Sequence, residues 1–151
     1  MDYSLSEEQT MLADTLSRLL ASSYSFEHRR QLATCGTAID EELWAQMSEL
    51  GIFSAFISET KGGLGGSMLD CAAVMQELGR VLCMEPVIAL SLAPMRLLAA
   101  LDLDEHLTTL LEGTSRFALI DGRDLRCADV VSGFVRSVEG AQAARAFLVR
   151  S

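Results

Sequence analysis

Leu12, Leu16, Leu19 and Leu20 recur at helical spacing within an otherwise polar stretch, so the chain opens on an amphipathic helix. Ser4 and Ser6, followed three places on by Glu7 and Gln9, are candidate capping boxes for its first free amides. A weaker helical stretch covers residues 26–33, and Cys35-Gly36-Thr37 ends it. Asp40 can cap a third helix, with Leu43, Trp44, Met47 and Leu50 on one face and Gly51 as its left-handed stop. The apolar run 52–57 then leads into the loop Gly62-Gly63-Leu64-Gly65-Gly66.

Ser67 and Asp70 mark the start of a further helix, whose buried stripe is expected at Met68, Ala72, Met75, Leu78 and Leu82. Gly79 inside it costs about 1 kcal/mol against alanine, which implies a close packing partner at that point. Pro86 fits the first turn of the next helix, and Pro94 is expected to kink or end it. Asp104 can cap a last helix through Leu107, Leu110 and Leu111, which Gly113 terminates. Residues 117–120, 130–138 and 146–149 then read as short strands between Asp, Gly and Arg. The pattern therefore predicts a mainly α chain with a short β tail, dividing near Thr114 into residues 1–114 and 115–151.

With 151 residues, of which 50% are hydrophobic, the chain can bury a core and is not disordered by composition. A formal net charge of -9 repels phosphate backbones, so nucleic acid is excluded as a partner class, and any anionic ligand needs a local basic site. Lys61 is the only lysine; the other basic residues are arginines, which suit bidentate contacts to anions, although base composition explains the bias equally well. Cys35, Cys71, Cys83 and Cys127 form no CxxC pair and lie far from His28 and His106, so neither a metal site nor a redox pair is expected. The acidic, polar opening is unlike a signal peptide, and the apolar stretch 86–103 is interrupted by Pro94, Arg96 and Asp102, which makes a poor membrane span. A reduced, cytoplasmic protein is the expectation.

The glycine loop lacks the Lys and hydroxyl of a Walker loop and the glycine spacing of a Rossmann turn, so it is read as a helix connection. Met47, Met68, Met75 and Met84 could line an adaptable apolar surface, but their spacing favours the core. Glu49, Glu59 and Glu77 are possible acid or base groups; with no second catalytic element beside them they are read as solvated or ion-paired. His28 and His106, among charged neighbours, are read as surface positions.

The linear order of the motifs carries more. SEEQ at the start, W..M.ELG at 44–51, GG.GG at 62–66, M.ELGR at 75–80 and L..LLEG at 107–113 together resemble the amino-terminal helical domain of the acyl-CoA dehydrogenase family. Residues 133–149 are similar to the strand pair of that family's middle β-domain. The family's Thr-Glu-Pro element and Gly-Ser pair are missing where Phe117-Ala118-Leu119-Ile120-Asp121 stands, and the carboxy-terminal helical domain with its catalytic glutamate is absent. The chain therefore reads as a truncated member or a portion of a longer one.

The resemblance implies an up-and-down helical bundle and an FAD-dependent α,β-dehydrogenation of an acyl-CoA thioester, with an electron-transfer flavoprotein as acceptor and a homo- or hetero-oligomeric state. It assigns Leu90, Ser91 and Pro94 to the wall of the acyl pocket. Phe117, Leu119, Ile120, Ser137 and Glu139 align with strand positions that approach the flavin, Glu139 standing where a hydroxyl is usual. No catalytic residue and no metal ligand is assigned to this chain. Two other functions fit the same motifs: a non-catalytic helical subunit that assembles with a partner chain, and a flavin monooxygenase or nitroalkane oxidase of the same architecture.

Overall fold

The first helix, α1 (Glu7–Ser23), starts in a reciprocal cap: the Gln9 amide donates to Ser6 Oγ at 3.2 Å and the Ser6 amide donates to Gln9 Oε1 at 3.0 Å. The computed structural model describes residues 5–36, 39–127 and 129–150; the alternative box at Ser4 and the residue Thr37 lie outside them, while the second helix closes on a left-handed Gly36 as expected. Two compact units follow one another, Met1–Glu85 and Pro86–Ser151.

The first unit holds α1, α2 (Phe26–Cys35), α3 (Glu41–Glu49) and α4 (Met68–Arg80). Ala13, Leu16 and Leu20 form the buried stripe of α1, which packs on α4, and Gln9 Nε2 reaches across to Asp70 Oδ2 at 3.2 Å. On α3, Leu43, Trp44 and Met47 are buried as the pattern predicts, and Gly51 follows with φ 74°. The Trp44 ring lies on Phe53, with centroids 4.7 Å apart.

The stripe of α4 is corrected. Its buried residues are Ala73, Val74, Glu77 and Leu78, whereas Met68 is 64% and Leu82 66% exposed and Ala72 is also exposed. Apolar residues occupy both sides of this helix, so periodicity alone could not fix the phase; the small Ala73 and β-branched Val74 face the neighbouring helix instead. Glu77 is tolerated in that face because Arg80 Nη1 stands 3.3 Å from its Oε1. Gly79 also differs from expectation: nothing lies within 4 Å of where a Cβ would stand, so no close packing partner explains it.

At the end of α4 the Cys83 amide donates to the Leu78 carbonyl at 2.9 Å and the Leu82 amide to the Gly79 carbonyl at 3.1 Å. This is the reversal that elsewhere in the chain uses Gly51, but here the left-handed position is Leu82, with φ 52°. A leucine there costs about 1 kcal/mol or more, and its side chain recovers little by burial. Leu82→Gly is therefore expected to raise stability by about 0.5 kcal/mol, after the added chain entropy of glycine is subtracted. A lowered midpoint in urea denaturation would contradict this.

The α1–α2 corner, the start of α3 and residues 83–85 are tied by one polar cluster. Glu85, 7% exposed, accepts from the Asp40 amide at 3.2 Å and from Cys83 Sγ at 2.9 Å, and the Met84 amide donates to Tyr24 Oη at 3.0 Å. Asp40 caps α3 through the amides of Glu42 and Leu43 and lies 2.6 Å from His28 Nε2. Burial opposes the Asp40 charge, yet the Leu43 amide, the His28 ring and the Glu42 amide outweigh it and hold this carboxyl below the ordinary range. His28 is thus partly buried and bonded, not a plain surface residue.

In the second unit, a π-helical turn (Ile88–Leu92) runs directly into α5 (Ala93–Ala100). Of the two outcomes expected at Pro94, a kink or an end, the helix does not end there but is interrupted by the π-helical turn just before it. Pro94 sits in the first turn of α5, where a missing amide is tolerated, and the wider preceding turn, closed by the Ala93 amide on the Ile88 carbonyl, relieves its ring. Helix α6 (Asp104–Leu111) begins after Leu103; Asp104 is its first residue and not its cap, a first-turn position where a negative charge favours the helix dipole.

Strand β1 (Phe117–Asp121) pairs in parallel with β4 (Ala146–Arg150), and β2 (Leu125–Cys127) pairs antiparallel with β3 (Val131–Gly133). The expected strand over 130–138 is therefore only three residues long, and β4 pairs with β1, not with a strand just before it. Residues 134–145 instead form an irregular connection, anchored where Arg116 Nε donates to the Ala143 carbonyl at 2.9 Å and the Arg145 amide donates to the Arg116 carbonyl at 2.8 Å. The change from helix to strand does fall near Thr114. The chain divides into its compact units earlier, between Glu85 and Pro86, and α5 packs on both α6 and β1 within the second.

Candidate functional site

Within the second unit an open groove of about 560 Å³ runs between α5 and the parallel strand pair. Leu97 of α5 and Leu101 at its C-cap form one side, and Leu119 and Ile120 of β1 with Leu148 and Val149 of β4 form the other. Leu101 is 58% and Leu119 40% exposed, a large apolar surface left open to a ligand. The groove ends at Asp121 and Arg150, which are partners in the β1–β4 register.

Asp121 is held by Arg123, whose Nε donates to Oδ2 at 2.8 Å and whose Nη2 lies 2.6 Å from the same oxygen. These hydrogen bonds keep the Asp121 carboxyl below the ordinary range and the Arg123 guanidinium above its own. A carboxylate so stabilised is a poor general base. The groove thus offers apolar binding surface and a charged end, with no acid or base matched to proton abstraction.

The sequence-derived site residues separate into three groups. Leu119 and Ile120 meet in the groove. Phe117 is 5% exposed and packs edge-on to His106, and Leu90, Ser91 and Pro94 are buried without lining the groove. The Ser91 hydroxyl has no hydrogen-bond partner among the described residues. Ser137 and Glu139, expected on a strand, lie exposed in the irregular connection, because β3 stops at Gly133. Leu97, Leu101, Leu148, Val149 and Arg150 were not singled out by sequence, although the four-residue spacing of Leu97 and Leu101 was available as a signal.

Five residues aligned with flavin contacts, and only two share a surface here. Leu119 and Ile120 line the groove, the Phe117 ring is packed against His106, and Ser137 and Glu139 lie in the irregular connection after β3. No group of three or more His, Cys, Asp or Glu could hold a metal ion, and no helix is long and apolar enough to cross a membrane, both among the described residues.

The first unit carries a second groove of about 680 Å³, lined by Met11, Leu12, Leu50, Ala55 and Leu64 and also by Glu8 and Asp70. Its glycine loop is not a phosphate cradle. The amides of Gly63, Leu64, Gly65 and Gly66 donate to the carbonyls of Ser58, Ser54, Ile57 and Ala55 at 2.7–3.0 Å, so they are already used.

A model of the acyl-CoA dehydrogenase amino-terminal domain matches residues 6–101. The chain belongs to the acyl-CoA dehydrogenase family. It is 37% identical over 116 residues to the acyl-CoA dehydrogenase IpdE2 of Mycobacterium tuberculosis, covering 76% of this chain and 36% of that protein. It is 30% identical over 86 residues to the acyl-CoA dehydrogenase FadE27 of the same organism, covering 57% of this chain and 23% of that one.

Among solved structures, the ChsE4-ChsE5 complex from Mycobacterium tuberculosis superposes with a TM-score of 0.85 at 24% identity, covering 99% of this chain and 45% of that one. The steroid ACAD Tcur3481-Tcur3483 superposes with a TM-score of 0.81 at 20% identity, covering 95% and 44%. These likenesses show the fold. The acyl-CoA dehydrogenase chain described here spans about a third of the length of IpdE2 and under half of the structural neighbours.

Proposed function

We propose that this chain supplies the acyl-binding side of an FAD-dependent acyl-CoA dehydrogenase and is not competent alone. The observation that carries the reading is the apolar groove lined by Leu119 and Ile120 of β1 together with Leu97 and Leu101 at the end of α5. In the family reaction, FAD accepts hydride from the β-carbon of an acyl-CoA thioester. The residues of this chain bind and orient the acyl group and keep water from it; Leu90, Ser91 and Pro94 back the wall from behind. The base and most of the flavin contacts are assigned to residues outside this sequence. Residues 1–114 correspond to the family's helical domain, residues 115–151 to part of its β-domain, and the acceptor is an electron-transfer flavoprotein in a reduced cytoplasm.

A second reading, a non-catalytic subunit of a heteromeric assembly, is supported by the two-component naming of ChsE4-ChsE5 and by the open edges of two-stranded sheets. A flavin monooxygenase or nitroalkane oxidase has no observation in its favour here. The test is binding. Octanoyl-CoA is expected to raise the melting temperature of the chain, and Leu119→Asp to cancel the rise, while added FAD is removed by desalting. No rise in a folded preparation would overturn the acyl-wall reading; a yellow preparation that octanoyl-CoA bleaches would overturn the division of labour.

A further inference from the structure

We infer that the groove of the second unit takes an acyl group ending in a carboxylate. This rests on the reading that the groove walls the acyl chain, and it adds what stands at the far end. The lining is apolar along α5, β1 and β4 and then changes to Asp121 and Arg150. Because these two are register partners on the last rung of the parallel pair, the backbone fixes Arg150 at that end.

Asp121 is gripped by Arg123, with Nε at 2.8 Å and Nη2 at 2.6 Å, and also feels the Arg150 charge, so one carboxylate is shared between two guanidiniums. Two guanidiniums against one carboxylate leave one surplus cation at the groove end, on a chain whose formal net charge is -9. The acidity of the whole molecule repels anions, so an anionic ligand needs such a local reversal of sign. An apolar trough that closes on a guanidinium matches a ligand with an apolar body and a planar anionic tip, which the guanidinium fork meets with two parallel hydrogen bonds. Phosphate offers the fork the same chemistry, so the experiment separates the two.

The chain is titrated calorimetrically with decanoate, decanol and inorganic pyrophosphate. Decanoate is expected to bind about tenfold more tightly than decanol. Arg150→Gln is expected to bring the two to equal affinity, Arg150→Lys to keep part of the preference, and Asp121→Asn to tighten decanoate, each with the parent's melting temperature. Equal binding of decanoate and decanol to the parent chain overturns the carboxylate and leaves the acyl-wall reading standing; binding of neither overturns both. Pyrophosphate that displaces decanoate in an Arg150-dependent manner assigns this end to a phosphate and overturns the inference as well.

Discussion

Gly63→Ala is expected to destabilise the first unit by about 3 kcal/mol, at the upper end of what overpacking costs. A Cβ on Gly63 would stand 2.1 Å from the Ile57 carbonyl oxygen, 2.5 Å from its carbon and 2.6 Å from its Cβ. Two of those three atoms are backbone, so no rotamer change can relieve the clash. The loop cannot retreat either, because the amides of residues 63–66 are bonded to carbonyls of residues 54–58 and would lose them together. Gly79→Ala is the control: with open space around the site in α4, it should stabilise by about 1 kcal/mol. Urea unfolding followed by Trp44 fluorescence reads both. A loss below about 1 kcal/mol for Gly63→Ala would mean that the loop is not folded back as described.

The same loop shows how far the sequence could be read. Its composition announced a connection between helices, and Ser67 and Met68 standing where a Walker loop needs Lys and then a hydroxyl argued against a phosphate site. What composition could not say is that the glycines serve close backbone approach to residues 54–58, since that is a tertiary contact. Caps were legible because they are local: Ser6 with Gln9, Asp40 and Ser67 with Asp70 each act within four residues. The phase of α4 was not, because Met68 and Leu82 compete with Ala73 and Val74 for the inner face and only the packed neighbour decides.

Strand pairing failed for a related reason. Short apolar runs locate strands but do not name their partners, and the parallel pairing of β1 with β4 joins residues nearly thirty positions apart in sequence. The family resemblance expected Leu119 and Ile120 on a strand, which β1 is, and Ser137 and Glu139 on another, whereas β3 stops at Gly133. Arg150 escaped notice because a terminal arginine looks like any solvated charge until its register partner Asp121 is seen to be held by Arg123.

Trp44→Ala is expected to cost about 4 kcal/mol, enough to unfold a marginally stable domain. Trp44 is 2% exposed, Phe53 is fully buried, and their rings lie 4.7 Å apart, so truncation opens a cavity that Leu43 and Met47 on the same helix cannot fill. The ring pair also joins α3 to the turn segment 52–57, whose carbonyls receive the glycine loop, so the damage should spread from core to loop. Trp44→Phe preserves the ring contact and is expected to cost less than half as much. Because either change removes the only tryptophan, the measurement is thermal unfolding by far-ultraviolet circular dichroism. If Trp44→Ala melted within a few degrees of the parent, the stack would be peripheral, and the loop would have to be held by its backbone hydrogen bonds alone.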